Sequence, residues 1–261
     1  MTVVVPTRNS ATTLADCLKS LRRQTVPCFI VVVDNHSTDE TVMIAHEFAD
    51  VVLETGPERS TQRNRGASVA TTPYVGFVDS DMVVSSSVVE EAITALLGGD
   101  GAVIVPERAF GQGFWAKVGQ FEKTFFLGSD TVEAARFFRR DVFAATGGFD
   151  ESFTGGEDWD LHLRTLKITT AARIESGIDH DESTLGYLDR CVKKAYYAAG
   201  LRVFVHKHGR GALTSAVFDR PYLRQPWRLV YPHPMLGAGL IAMKSGQLVA
   251  VGIGALRRTR R

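Results

Sequence analysis

Between Thr2 and about residue 105 the chain alternates β-branched apolar runs with stretches of helical periodicity, and that alternation constrains its fold more than any other feature. Thr2 to Val5, Phe29 to Val33, Val51 to Leu53 and Tyr74 to Val78 read as strands. Leu14, Cys17, Leu18 and Leu21 behind Ser10, and Val42, Ile44, Ala45 and Phe48 behind Thr38 or Asp39, read as capped helices, as do Ser60 to Ala70 and Val88 to Leu97. Phe29 to Val33 is unbroken, as a strand covered on both faces must be. Strands joined in this way need helical crossovers, so an α/β, Rossmann-like, doubly wound and mainly parallel sheet is expected. Ala102 to Val105 closes that half. The chain beyond is less regular, with Gly and aromatics concentrated from Phe110 to Phe126, and no linker or repeat sets it apart. The expected organisation is a main domain over residues 1–215, with halves 1–105 and 106–215, and a tail over 216–261.

Each strand stops at something polar. Pro6 ends the first, ahead of Thr7-Arg8-Asn9-Ser10; Asp34 ends the second, ahead of Asn35-His36-Ser37-Thr38; the fourth delivers Phe77-Val78-Asp79-Ser80-Asp81. Ligands of open α/β sheets bind at the carboxyl ends of the strands. Two hard oxygen donors there suit Mg²⁺ or Mn²⁺ shared with a substrate's phosphates, although a short acidic pair also fits a solvated turn. Further on, Gly155-Gly156-Glu157-Asp158-Trp159-Asp160 sets three acids at the mouth of a helix expected from Asp160 to Leu166. The helix dipole favours acids there. Capping needs only one, however, and a carboxylate beside a Gly-Gly loop is placed as a general base must be. His180, flanked by acids, fits a metal or phosphate partner as well as a structural role. His206-Lys207-His208-Gly209-Arg210 fits a diphosphate-screening group or a solvated loop.

Composition removes several classes. With 44% hydrophobic and 23% charged residues the chain is an ordinary globular protein, not a disordered one. A formal net charge of +1 gives no reason to expect a nucleic-acid partner. Cys17, Cys28 and Cys191 have no metal-ligand spacing and read as reduced thiols of a cytoplasmic protein. The chain opens directly on Thr2-Val3-Val4-Val5-Pro6, so no secretory signal is expected.

Taken in order, these pieces resemble glycosyltransferase family 2, of the GT-A fold, over residues 2 to roughly 185. Val4-Val5-Pro6-Thr7-Arg8-Asn9 resembles its opening strand and loop, and Ile30 to Asn35 with Ser37, Asp39 and Thr41 its nucleotide loop. Arg63-Asn64 with Gly66 resembles its Arg-Asn-x-Gly helix, and Phe77 to Asp81 its Asp-x-Asp site. Arg139-Arg140, Gly147 to Glu151 and Glu157-Asp158 resemble its acceptor-side motifs. The resemblance implies a GT-A mixed sheet with an elaborated acceptor-side half and a helical tail, and inverting, metal-dependent transfer of a sugar from a nucleotide-diphosphate donor to an acceptor hydroxyl. It implies that Pro6, Thr7, Arg8, Asn9, Asp34, Arg63, Asp79 and Ser80 bind the nucleotide. Asp81, with Asp79 and His180, would hold Mn²⁺ or Mg²⁺, and Asp158 would be the base. Glu157, Trp159, Arg139, His206 and Lys207 would serve the acceptor or the diphosphate. The second strand lacks the Glu often found at its start, and Asn35 replaces a common Asp, which leaves the nucleobase open. A nucleotidyltransferase would carry a Gly-rich, Lys-containing loop after the first strand, and none is present. A non-catalytic nucleotide-sugar binder would not need Asp158.

After Asp219 there is no acid, whereas Arg220, Arg224, Arg228, Lys244, Arg257, Arg258, Arg260 and Arg261 follow. Tyr222, Trp227 and Tyr231 interleave with the first arginines, and Met235 to Leu256 is largely apolar. Two short segments lying against an anionic membrane surface are expected, with packing on the catalytic domain or a homodimer contact as the alternatives. A lipid-linked or cell-envelope acceptor, handled peripherally at the cytoplasmic face, goes with the first.

Overall fold

The computed structural model describes residues 1–130, 132–183, 186–218 and 221–258. Two compact units share the chain, one formed by residues 1–107, 134–151 and 157–180, the other by 108–133, 152–156 and 181–261. Position 216 therefore falls inside the second unit.

The first unit is the expected sheet. Its elements run β1 (Thr2–Thr7), α1 (Leu14–Arg22), β2 (Phe29–Asp34), α2 (Thr41–Phe48), β3 (Val51–Glu54), α3 (Arg59–Ser68), β4 (Tyr74–Phe77), β5 (Met82–Val84), α4 (Val88–Leu97) and β6 (Ala102–Ile104). Glu107 opens β7 (Glu107–Phe110). After α5 (Phe114–Phe126), which belongs to the second unit, come β8 (Ala135–Arg139), α6 (Arg140–Ala145), α7 (Glu157–Thr165), β9 (Ala171–Arg173) and β10 (Ile178–Asp181).

Seven strands lie in the order β3-β2-β1-β4-β8-β6-β9. The first four are parallel, β8 is antiparallel to both of its neighbours, and β9 is parallel to β6, so the sheet is mixed. The chain winds from β1 out to β3 and then returns to lay β4 on the other side of β1. That reversal opens a crevice beyond the carboxyl ends of β1 and β4. Behind them β5 pairs antiparallel with β10, setting His180 opposite Met82.

The burial of β1 and β2 explains their unbroken apolar runs. Val3, Val5, Ile30 and Val32 face α1, while Val4, Val31 and Val33 face the other layer with Phe77, Phe138, Phe143 and Phe149. Gly66 lets α3 lie on this sheet, for a Cβ there would sit 2.3 Å from Val4 Cγ1. Ser10 departs from expectation. Helix α1 begins only at Leu14, and the Ser10 N–H donates instead to Thr41 Oγ1 at 2.7 Å, tying the first loop to α2.

The second unit adds to α5 the helix α8 (Tyr187–Phe218), broken at Gly209, then α9 (Pro221–Arg224), a 3-10 turn (Pro226–Leu229) and α10 (Pro234–Arg258). Two short tail segments are not what forms. α10 is continuous because its glycines serve close packing: Gly239 lies against Val118 and Phe114, and Gly246 against Tyr187 and Cys191. Val118, Phe121, Phe125, Leu240 and Met243 make this unit's core. Arg220, Arg260 and Arg261, and the side chains of Arg210, Arg257 and Arg258, lie outside the described residues.

Candidate active site

The loops at the carboxyl ends of β1 and β2 are laced together. Asp34, buried, accepts from the Ser37 N–H at 2.7 Å and from Ser37 Oγ at 2.5 Å, an arrangement in which a short acid closes its own turn. Asn9 and His36 take positive φ angles of 48° and 50°; the Asn9 N–H donates to Ser37 Oγ and Asn9 Oδ1 accepts from the Thr38 N–H. Ser80 Oγ donates to Ser10 Oγ at 2.9 Å, which joins the loop after β4 to the first. Pro6 and Thr7 are buried in the end of β1, while Arg8 and Asn9 are exposed beyond it. Gln62 of α3 braces the rim, its Nε2 donating to the Thr7 and Val33 carbonyls at 2.9 and 2.6 Å.

Across the crevice runs one chain of alternating charges. Asp158 Oδ1 lies 2.8 Å from Arg63 Nη1, and Arg63 Nη2 lies 2.6 Å from Asp79 Oδ1. Asp79 Oδ2 is 3.6 Å from Arg136 Nη1, whose Nη2 is 2.9 Å from Glu107 Oε2. Glu107 Oε1 is 3.1 Å from His180 Nδ1, and His180 Nε2 is 2.9 Å from Asp81 Oδ2. The two ends, Asp158 and Asp81, are the open ones, with side chains 42% and 35% exposed.

Arg63, which the motif implies at the nucleotide, has 0% exposure and lies beneath this surface. Its guanidinium sits 5.1 Å from the Phe149 ring centroid and also reaches Glu157 at 3.2 Å. Burial works against its charge, but Asp158, Asp79 and Glu157 more than restore it and raise its pKa. Burial likewise opposes the charge of Asp79, and the cations Arg63, Arg136 and Arg59 outweigh it, holding this carboxyl well below the usual range. Glu157 goes the other way. Burial and the charge of Asp158 raise its pKa against the pull of Arg63 and Arg59. For His180, burial disfavours the cation, yet hydrogen bonds to Asp81 and Glu107 bring its pKa up to about 9.

The three acids at the start of α7 thus have three fates. Glu157 is buried on Arg63 and Arg59, Asp160 is buried on Arg164 at 2.6 Å, and Asp158 alone keeps a carboxylate open to solvent. Trp159 stacks near His162, with centroids 5.2 Å apart.

Arg139 does not reach this crevice. Antiparallel pairing sets it opposite Tyr74, the residue at the other end of β4 from Asp79, about 16 Å away along the strand. It pairs there with Asp141. The arginine of β8 that joins the site is Arg136, at the strand's other end, and no sequence motif marks either it or Glu107. His206 and Lys207 stand on α8 in the second unit, Lys207 over the Phe153 ring.

Among the described residues no cluster of three or more His, Cys, Asp and Glu makes a ready cation cage. Asp81 nevertheless fits a hard divalent ion that takes its remaining ligands from phosphate and water, and His180 would join it only on losing a proton and turning Nε2 from Asp81 to the ion. Asp79 does not fit, because each of its oxygens already faces an arginine.

Residues 2–154 match the model of glycosyl transferase family 2. The PGL/p-HBAD biosynthesis glycosyltransferase of Mycobacterium tuberculosis is 28% identical over 177 residues, covering 62% of this chain and 68% of that protein. The pre-mycofactocin glycosyltransferase of the same species is 27% identical over 232 residues, covering 80% of this chain but 48% of that one. Two solved structures share the fold. S. aureus TarS 1–349 in complex with UDP-GlcNAc superposes with a TM-score of 0.55 at 17% identity, over 99% of this chain and 91% of that one. The mannosyltransferase PcManGT of Pyrobaculum calidifontis, in complex with GDP-Man and Mn²⁺, gives 0.57 at 18%, over 95% and 86%. The family match takes in β1 to β4, α3 and the whole rim from Pro6 to Asp81, and on it the chain belongs to glycosyl transferase family 2 and is a glycosyltransferase.

Proposed function

We propose that the protein transfers a sugar, with inversion, from a nucleotide-diphosphate donor to an acceptor hydroxyl, with Asp158 as the general base. The observation that carries this reading is the charge chain from Asp158 through Arg63, Asp79, Arg136, Glu107 and His180 to Asp81. It joins an open carboxylate to an open acid at the donor edge of the sheet.

In this reading the nucleotide lies over Pro6, Thr7, Arg8, Asn9 and Asp34, with Asp79 and Ser80 at its ribose. Asp81, with His180 once neutral, would hold Mn²⁺ or Mg²⁺, whose positive charge would offset that of the diphosphate. Asp158 accepts the proton of the acceptor hydroxyl as that oxygen bonds the anomeric carbon. The bond from that carbon to the diphosphate oxygen breaks on the opposite face, and the electron pair leaves with the nucleoside diphosphate. Arg63 holds Asp158 in place from beneath, which makes it a positioning residue. Because the anomeric carbon is displaced once, no glycosyl-enzyme forms.

UDP-GlcNAc in TarS and GDP-Man with Mn²⁺ in PcManGT support this donor class and a divalent cofactor. The acceptor we assign is a lipid-linked or cell-envelope glycan precursor handled in the cytoplasm, supported by the acid-free basic tail and by three buried cysteines with free thiols. A thermal-shift screen of UDP-, GDP- and dTDP-sugars with Mn²⁺ or Mg²⁺ identifies the donor, and proton NMR of the transferred product then reads the anomeric configuration. Retention of configuration sinks the single-displacement reading.

A further inference from the structure

Helix α10 is polar on the wrong side for water. A helix on a soluble surface turns its charged residues outward and its apolar ones inward. Here the one lysine of Pro234–Gly252 points into the second unit, where Lys244 Nζ lies 2.5 Å from Glu122 Oε1 of α5 and donates to Gln247 Oε1 at 3.2 Å. The outward face holds Met235, Ile241, Leu248 and Val249, all more than half exposed, and between them only Ala238, Ala242 and Ser245. No charge interrupts that face over 19 residues, about 28 Å at roughly 1.5 Å per residue. The face continues onto α8, which packs on α10 through Tyr187, whose hydroxyl donates to the Ala242 carbonyl at 3.3 Å. Next to Tyr187, Leu188 and Val192 are each about 70% exposed and one helical turn apart.

We infer that this face of α10 and α8 docks on an anionic lipid bilayer, entering one leaflet. Inward-turned, paired ionisable groups beneath an outward apolar face are the arrangement that hydrocarbon, not water, selects. The composition of the segment agrees. Besides the inward Lys244, residues 220–261 hold seven basic residues and no acid, and exposed Trp227 and Tyr231 stand just before α10, as side chains that favour the lipid-water boundary do. Exposed Asp189 and Lys194 on α8 keep the rest of the unit in water, so the helix lies along the surface and does not cross it.

Flotation of the full chain with phosphatidylcholine vesicles, with and without phosphatidylglycerol, tests this. The protein is expected to float with the anionic vesicles at low salt, and Ile241→Glu with Leu248→Glu should cut the bound fraction at least about tenfold. Both side chains are exposed, so the melting temperature and the nucleotide-sugar shift of the variant should stay those of the parent. Should the glutamates disturb folding, Ile241→Ser with Leu248→Ser makes the same comparison. The inference is overturned if the parent stays wholly in the soluble fraction, if the folded variants float as well as it does, or if light scattering shows a lipid-free dimer that the variants dissociate. None of these readouts depends on sugar transfer.

Discussion

Arg63 and Asp158, 95 positions apart in the chain, meet at 2.8 Å, the arginine wholly buried and the aspartate half open. A cation placed under an acid in this way holds it pointing outward without competing for the face that a substrate must approach.

Asp158→Asn preserves the shape of that contact and removes the proton acceptor. Transfer should fall by about 10²- to 10⁴-fold, while nucleotide-sugar affinity measured by calorimetry stays close to that of the parent. Near-parental turnover would require another base.

Arg63→Met leaves Asp79 and Glu157 without their shared buried cation. Removing one partner of such a group costs about 3–5 kcal/mol, read as a drop in the urea midpoint at unchanged slope. A loss below about 1 kcal/mol would mean the carboxylates find other partners or take up protons at little cost.

Metal dependence should separate the two acids of the Asp-x-Asp stretch. Asp81→Ala should abolish the gain in donor affinity produced by Mn²⁺, whereas Asp79→Ala should retain part of that gain and lower thermal stability instead, since Asp79 faces Arg63 and Arg136. Equal loss of the Mn²⁺ effect in both would place Asp79 on the metal.

Gly66→Ala should destabilise by about 1–3 kcal/mol, because the new methyl group meets Val4 Cγ1 at 2.3 Å in the core beneath the crevice. A helix propensity gain from alanine is smaller than this clash. A variant as stable as the parent would show that α3 can lift off the sheet freely.

Burial pushes the Cys28 thiol up to about 11 from 9.0, against the opposing charge of Arg22. Its folded pKa is the higher one, so the stability it contributes is complete below pH 9 and lost as pH rises from there through about 11. Chemical denaturation at pH 8 and pH 10.5 should show that fall, and Cys28→Ala should reduce it. An identical fall in the variant would assign it to other groups.

The part of this fold that is legible in the letters alone is local. The strands and helices of residues 2–105 follow from side-chain period and punctuation, and Asp34 closes β2 as expected, but Pro6 stays inside β1 opposite Val33, the strand running on to Thr7, and β4 stops at Phe77, two residues ahead of Asp79. The order of polar loops still showed a crevice edge before any pairing was known. Long-range pairing decided the rest. Strand β8 carries arginines at both ends, and only its antiparallel register with β4 puts Arg136 at the site and Arg139 at the far edge. The acids of α7 are indistinguishable as letters, and Arg63 and Arg164 alone decide that Glu157 and Asp160 are buried while Asp158 stays open. The inward turn of Lys244 depends on Glu122, 122 positions earlier. Periodicity is a property of neighbours along the chain, but the partner of a charge is a property of the fold.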